Sequence, residues 1–158
     1  MSLKAKGIRA ERELVHLLQA RGCAAIRIAG SGCTQEPSAD ILAGNSVRQF
    51  AIECKSVAGD SRYITQEAVN DFLMFARQFG AEPWIAVRFA RKPWRFLLCE
   101  DLHQTPKSYA VTIELAESKG LLLDELIPSI PTSKPSIQPL AHPLTTKPVV
   151  ATARDETI

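Results

Sequence analysis

Apolar positions along the first part of the chain change period several times, and each change marks an element. From about Lys4 to Ala20 the residues Leu14, Val15, Leu17 and Leu18 recur at helical spacing, and Gly22 closes the run. Cys23 to Ala29 alternates as a strand does, and GSGCTQEPSA then carries small and polar residues without a period, which predicts a loop. Asp40–Ala43 and Arg48–Lys55 are short strand patterns separated by Gly-Asn-Ser, residues that tolerate a tight turn, so an antiparallel hairpin is expected.

A second helix is expected from about Gln66 to Phe79, with Ile64 before it, Thr65 at its cap and Gly80 after it. Trp84–Phe89 and Trp94–Cys99 read as strands joined by the basic turn ARKP, Tyr109–Leu115 as a further strand, and Lys119–Ile127 as a short closing helix. Three strands, a helix and two more strands after a leading helix imply an α/β fold. It would be a mixed central sheet flanked by helices, with the middle helix permitting a parallel crossover.

Composition divides the chain near Ile127. All ten aromatic residues lie at or before Tyr109, whereas six of the ten prolines lie at or after Pro128. Residues 1–127 are therefore expected to form one domain, and residues 128–158 a Pro-rich flexible tail, which could serve as a segment for an unidentified protein partner. With 158 residues, 46% hydrophobic and 23% charged, the chain has the usage of an ordinary globular protein rather than a disordered or fibrous one. No run approaches a membrane span and the polar start is unlike a secretion signal, so a cytoplasmic location is expected. Four dispersed cysteines without a Cys-x-x-Cys pair suggest reduced thiols, neither a zinc knuckle nor a redox motif. The three scattered histidines suggest no ligand set.

Net charge is only +2, but residues 1–31 hold six basic side chains against two acidic ones, and Arg88, Arg91, Lys92 and Arg95 form a second basic cluster. Within the strand QFAIECK, the period of two puts Glu53 and Lys55 on one face and Ile52 and Cys54 on the other, towards a core. Asp40 opens the partner strand, so its carboxylate can approach Glu53. Two carboxylates and an ammonium suit a hard cation such as Mg²⁺ acting on a phosphate, with the lysine orienting water or offsetting charge. A wet surface ion pair between Glu53 and Lys55 would look the same in sequence. Glu11 shares its helical stripe with Leu14, Val15 and Leu18, which places a carboxylate either among packed side chains or at a frayed first turn.

KGIRAERELVHLLQARGCAAIRIAGSG, followed by PSADILAGN, by AIECK and by FARQFGAEPWIAVRF, resembles the archaeal Holliday-junction resolvases of the PD-(D/E)xK nuclease superfamily. The likeness spans about Lys4–Ile127, and one departure is Ala39, where the superfamily pattern has proline before Asp40. The resemblance implies a restriction-endonuclease-like core and an endonuclease for recombination and repair. It would cut four-way DNA junctions by symmetric, Mg²⁺-dependent hydrolysis to 5′-phosphate and 3′-hydroxyl ends, with Mn²⁺ able to substitute. It assigns Asp40, Glu53 and Glu11 to the metal and Lys55 to the water. It also places Ser31 near the scissile backbone, sets Arg12 and Arg27 on phosphates, and makes Phe75 and Phe79 the self-complementary contact of a homodimer. Lys4, Lys6 and Arg9 extend the DNA-binding surface. Two rival functions share these residues: a related nuclease acting on forks or flaps, and a junction-binding module without turnover.

Overall fold

The computed structural model describes residues 2–30 and 36–128. Helix α1, Leu3–Ala20, begins where the Ser2 hydroxyl accepts from the Ala5 N–H at 3.2 Å. Strands β1 (Ala24–Arg27), β2 (Ile41–Gly44) and β3 (Gln49–Val57) form an antiparallel meander with Ile41 opposite Ile52. Strand β4 (Ser61–Thr65) leaves this sheet and leads into helix α2, Gln66–Phe79. Thr65 caps α2 on the Ala68 N–H, and Gly80 ends it at φ 75°, a left-handed conformation that suits glycine. Strand β5 (Glu82–Phe89) then pairs parallel to β3, and β6 (Arg95–Leu97) antiparallel to β5. The main sheet therefore runs β1-β2-β3-β5-β6, with the β4–α2 segment as its crossover.

Both faces of this sheet are covered, which is why its central strands read as near-continuous apolar runs. Phe50, Ile52, Trp84, Ala86 and Phe96 pack against Ala10, Leu14, Val15 and Leu18 of α1. Residues of the opposite parity, Ala51, Ile85 and Val87, pack with Val69, Phe72 and Ala76 of α2. Ile52 is completely buried and half-buried Cys54 packs on the same side, as the alternation predicts.

Two expectations for the C-terminal half need correction. The single strand over Tyr109–Leu115 is instead strand β8 (Ser108–Thr112), which stops where Thr112 caps helix α3 (Ile113–Lys119) through the Leu115 N–H. The closing helix over Lys119–Ile127 is reduced to α4, Leu123–Leu126, because Gly120 and Leu121 continue as extended chain and Leu121 bridges to Phe96. Strand β8 lies between β4 and a two-residue strand β7 (His103–Gln104) in a second, antiparallel sheet that the hydrophobic pattern does not predict. Of β4 only Ile64 is buried, so its apolar positions are too sparse to show a period. Ser31 and residues 129–158 lie outside the described residues.

Candidate active site

Strand β3 organises the site. The residues before β2 continue alongside it: the Asp40 N–H donates to the Ile52 carbonyl at 3.1 Å, and the Asp40 carbonyl accepts from the Ile28 N–H at 2.8 Å. The Asp40 side chain is aimed by the same strand, since its Oδ2 accepts the Cys54 backbone N–H at 2.8 Å. That bond fixes one carboxylate oxygen with a main-chain donor.

Glu53 and Lys55 share a face of β3, and Lys55 Nζ donates to Glu53 Oε1. Their side chains are only 22% and 20% exposed, so the pair is not the wet surface bridge that the sequence left open. Burial raises the Glu53 carboxyl above its ordinary range; Lys55 pulls it back, and the charges of Asp40 and Glu11 push it further up. The Cys54 thiol is raised well above its usual value, first by burial and then by Asp40, Glu53 and Glu11. Burial also takes the Cys99 thiol to about 11, with Glu53 and Glu100 adding to the rise.

Glu11 joins this group from α1. It lies two turns into the helix, so the frayed-end reading does not hold, and its Oε2 accepts from Arg27 Nη1 of β1 at 3.1 Å. Both side chains are largely covered, 15% exposed for Glu11 and 23% for Arg27. Asp40, Glu53 and Glu11 thus share one electrostatic neighbourhood with Lys55 and Arg27, since the charges of Asp40 and Glu11 both act on Glu53. Among the described residues no three acidic, histidine or cysteine side chains are grouped closely enough to hold a metal ion by themselves. Carboxylates suit a hard ion that keeps several waters and shares a phosphate, and Asp40 and Glu53 are the residues that could hold one.

Of the other residues expected to bind DNA, Lys4, Lys6, Arg9 and Arg12 are exposed along α1. Lys6 also lines a cavity of about 820 Å³ that opens beside Lys55, between α1, the β3–β4 connection and the β5–β6 turn. Phe75 and Phe79 lie on α2, across the sheet from α1, with rings stacked at 5.9 Å; Phe75 is half-buried and Phe79 is 52% exposed. Sequence reasoning missed Arg88, which pairs with Glu13 of α1 and places its guanidinium 4.9 Å over the Trp94 ring. The basic cluster around Arg88 was visible, but its proximity to Lys55 depends on the parallel pairing of β3 with β5, which opposes Lys55 to Val87.

The family model described as the archaeal Holliday junction resolvase (Hjc) matches residues 2–134. This chain belongs to that family. It is 39% identical over 130 residues to a crossover junction endodeoxyribonuclease Hjc of Archaeoglobus fulgidus, covering 78% of this chain and 96% of that protein. It is 34% identical over 130 residues to the Hjc of Sulfolobus acidocaldarius, covering 80% and 90%. The solved structure of Archaeoglobus fulgidus Hjc, a Holliday junction resolvase, superposes with a TM-score of 0.72 at 35% identity, covering 79% of this chain and 98% of that one. The protein is accordingly a nuclease of the junction-resolving class with a restriction-endonuclease-like fold. The match runs beyond Ile127, so the family's likeness includes the first residues of the Pro-rich segment.

Proposed function

We propose that this chain resolves four-way DNA junctions by symmetric, Mg²⁺-dependent phosphodiester hydrolysis, leaving 5′-phosphate and 3′-hydroxyl ends, with Mn²⁺ able to substitute. The observation that carries the reading is the convergence on β3 of Asp40, Glu53 and Lys55 with the Glu11–Arg27 pair. When bound at Asp40 and Glu53, the ion would offset phosphate charge and lower the pKa of a coordinated water. Lys55 orients the attacking water and counters charge that develops on the phosphate. Arg27, held by Glu11, keeps N–H donors towards a backbone phosphate, and Arg12 adds a further phosphate contact from the exposed face of α1.

The substrate has two equivalent strands to cut, so the reading includes a homodimer that presents two sites related by a two-fold axis. The α2 surface around Phe75 and Phe79 supports that assembly, because a stacked aromatic pair with an exposed ring has more apolar area than this protomer covers. No described helix is long and apolar enough to cross a membrane. The reading includes a cytoplasmic location, which a role on cellular DNA in recombination and repair supports.

The test compares a labelled immobile four-way junction with a linear duplex of matched sequence, in Mg²⁺ and in EDTA, for the wild-type chain and Glu53→Gln. Paired symmetric cuts in the junction that need both Mg²⁺ and Glu53 are expected. Tight junction binding without cuts would replace the nuclease reading with a binding module, and equal cutting of both substrates would remove the junction selectivity.

A further inference from the structure

The cavity beside Lys55 has a charge pattern that the active site does not use. Its lining includes six cations, Lys6, Lys55, Arg62, Arg88, Arg91 and Lys92, and no carboxylate. Three are already engaged: Lys55 with Glu53, Arg88 with Glu13 and Lys92 with Glu117. The side chains of Lys6, Arg62 and Arg91 make no hydrogen bond or ion pair with any other described residue, and all three residues are exposed. Arg62 is supplied by β4, the second-sheet strand that the hydrophobic pattern did not reveal, and Arg91 by the β5–β6 turn.

Arg91 is also the one described non-glycine residue with positive φ, at 62°. A turn position of this kind is cheapest with glycine or asparagine, so a long basic side chain there carries a backbone cost with no hydrogen bond or ion pair to another described residue in return. The rest of the lining adds main chain and small residues, Ser56, Ala58, Gly59 and Ala90, which leave room for a bulky polyanion to approach the charges. A volume of about 820 Å³ is that of a ligand cleft, and the three cations in it that have no acidic partner among the described residues, Lys6, Arg62 and Arg91, lower the electrostatic cost of a phosphate chain.

We propose that this cavity is a second phosphate track, which takes the backbone of the DNA arm running on from the scissile phosphate, and that Arg62 and Arg91 grip it. The inference rests on the reading of Asp40, Glu53 and Lys55 as the nuclease site. On this reading the small second sheet serves to hold Arg62 across the cleft from α1. Lys6 belongs to this track, whereas Arg9 and Arg12 of α1 do not line the cavity, so those two would engage a different stretch of the junction.

The experiment measures junction affinity in EDTA by fluorescence anisotropy, over a range of salt, for full-length Arg62→Ala, Arg91→Gly, the double variant, and Arg62→Lys with Arg91→Lys. Each lost phosphate contact lowers the slope of log K against log salt by about 0.9, so the double variant is expected to lose about 1.8 of slope and about tenfold or more in affinity. The lysine pair should restore most of both, and in Mg²⁺ the loss should appear in KM rather than kcat. Glycine at position 91 relieves the positive φ, so its melting temperature should hold or rise while affinity falls, which separates a binding role from a structural one. Unchanged affinity and slope in Arg91→Gly and in the double variant would overturn the track, as would an equal loss in the lysine pair. Cleavage by wild type beside Glu53→Gln reports the nuclease reading independently, because the binding titrations need no turnover.

Discussion

Asp40 and Glu53 carry the same functional group in different surroundings. Asp40 is oriented by a backbone donor, the Cys54 N–H, whereas Glu53 is largely covered beside Lys55, and its carboxyl is raised first by desolvation and further by its acidic neighbours. Asparagine at position 40 keeps an oxygen to accept from Cys54, so Asp40→Asn removes charge and little else. Its stability should stay within about 1 kcal/mol of wild type, while single-turnover cleavage should fall by at least about a hundredfold and junction binding persist. A variant that cuts at the wild-type rate would remove Asp40 from the metal site. The superfamily pattern has proline before this aspartate; Ala39 stands there instead, completely buried in the core on the α2 side of the sheet. Asp40 still reaches its partner on β3.

Helix α2 divides its aromatic residues between two surfaces. Phe72 is buried with Val69 and Ala76 and faces the sheet, so Phe72→Ala should cost about 3–5 kcal/mol of stability, read by chemical denaturation. Phe79 is half exposed and touches Phe75, so Phe79→Glu should leave the protomer folded and shift sedimentation from dimer to monomer. Unaltered mass in that variant would place the dimer contact elsewhere. A different junction between elements is made by Arg48. It donates to Glu82 at 2.8 and 2.6 Å and to the Leu126 carbonyl at 2.7 Å, and it lies 4.7 Å over the Phe50 ring, tying the β2–β3 turn to β5 and α4. The hydrogen bond from Arg48 lowers the Glu82 carboxyl below its ordinary range. A depressed carboxyl stabilises the fold above its unfolded pKa and loses that contribution as pH falls through the folded one. Glu82→Gln should therefore lower the melting temperature at pH 7, and the difference from wild type should shrink as the pH is taken into the acid range. The effect should be modest, since both side chains are about a third exposed or more.

At the scale of the whole molecule, the nuclease reading needs only the two packed faces of the main sheet, and we propose that residues 128–158 are dispensable for it. Removing them should leave cleavage and the melting temperature unchanged, as read by junction cutting and calorimetry. A large loss of stability would assign the Pro-rich segment to the fold, an outcome with some footing in a family match that continues past Ile127. The sequence by itself determined the elements whose signals are local: α1, the β2–β3 hairpin, α2 with both of its caps, and the β5–β6 pair. It also determined the Asp40, Glu53 and Lys55 cluster, because a hairpin and a period of two suffice to bring those side chains together. Only the tertiary structure decided that Glu11 is held by Arg27 rather than by solvent, since the two lie sixteen residues apart, one on α1 and the other on β1. It alone revealed the β4-β8-β7 sheet: β8 was legible as a strand, but β4 and β7 bury too little apolar surface to leave a period, and β4 meets β8 only across a long sequence separation. The cleft that gathers Lys6, Arg62 and Arg91 beside Lys55 is of the same kind, because charges so far apart in the chain meet only once β3 and β5 lie parallel.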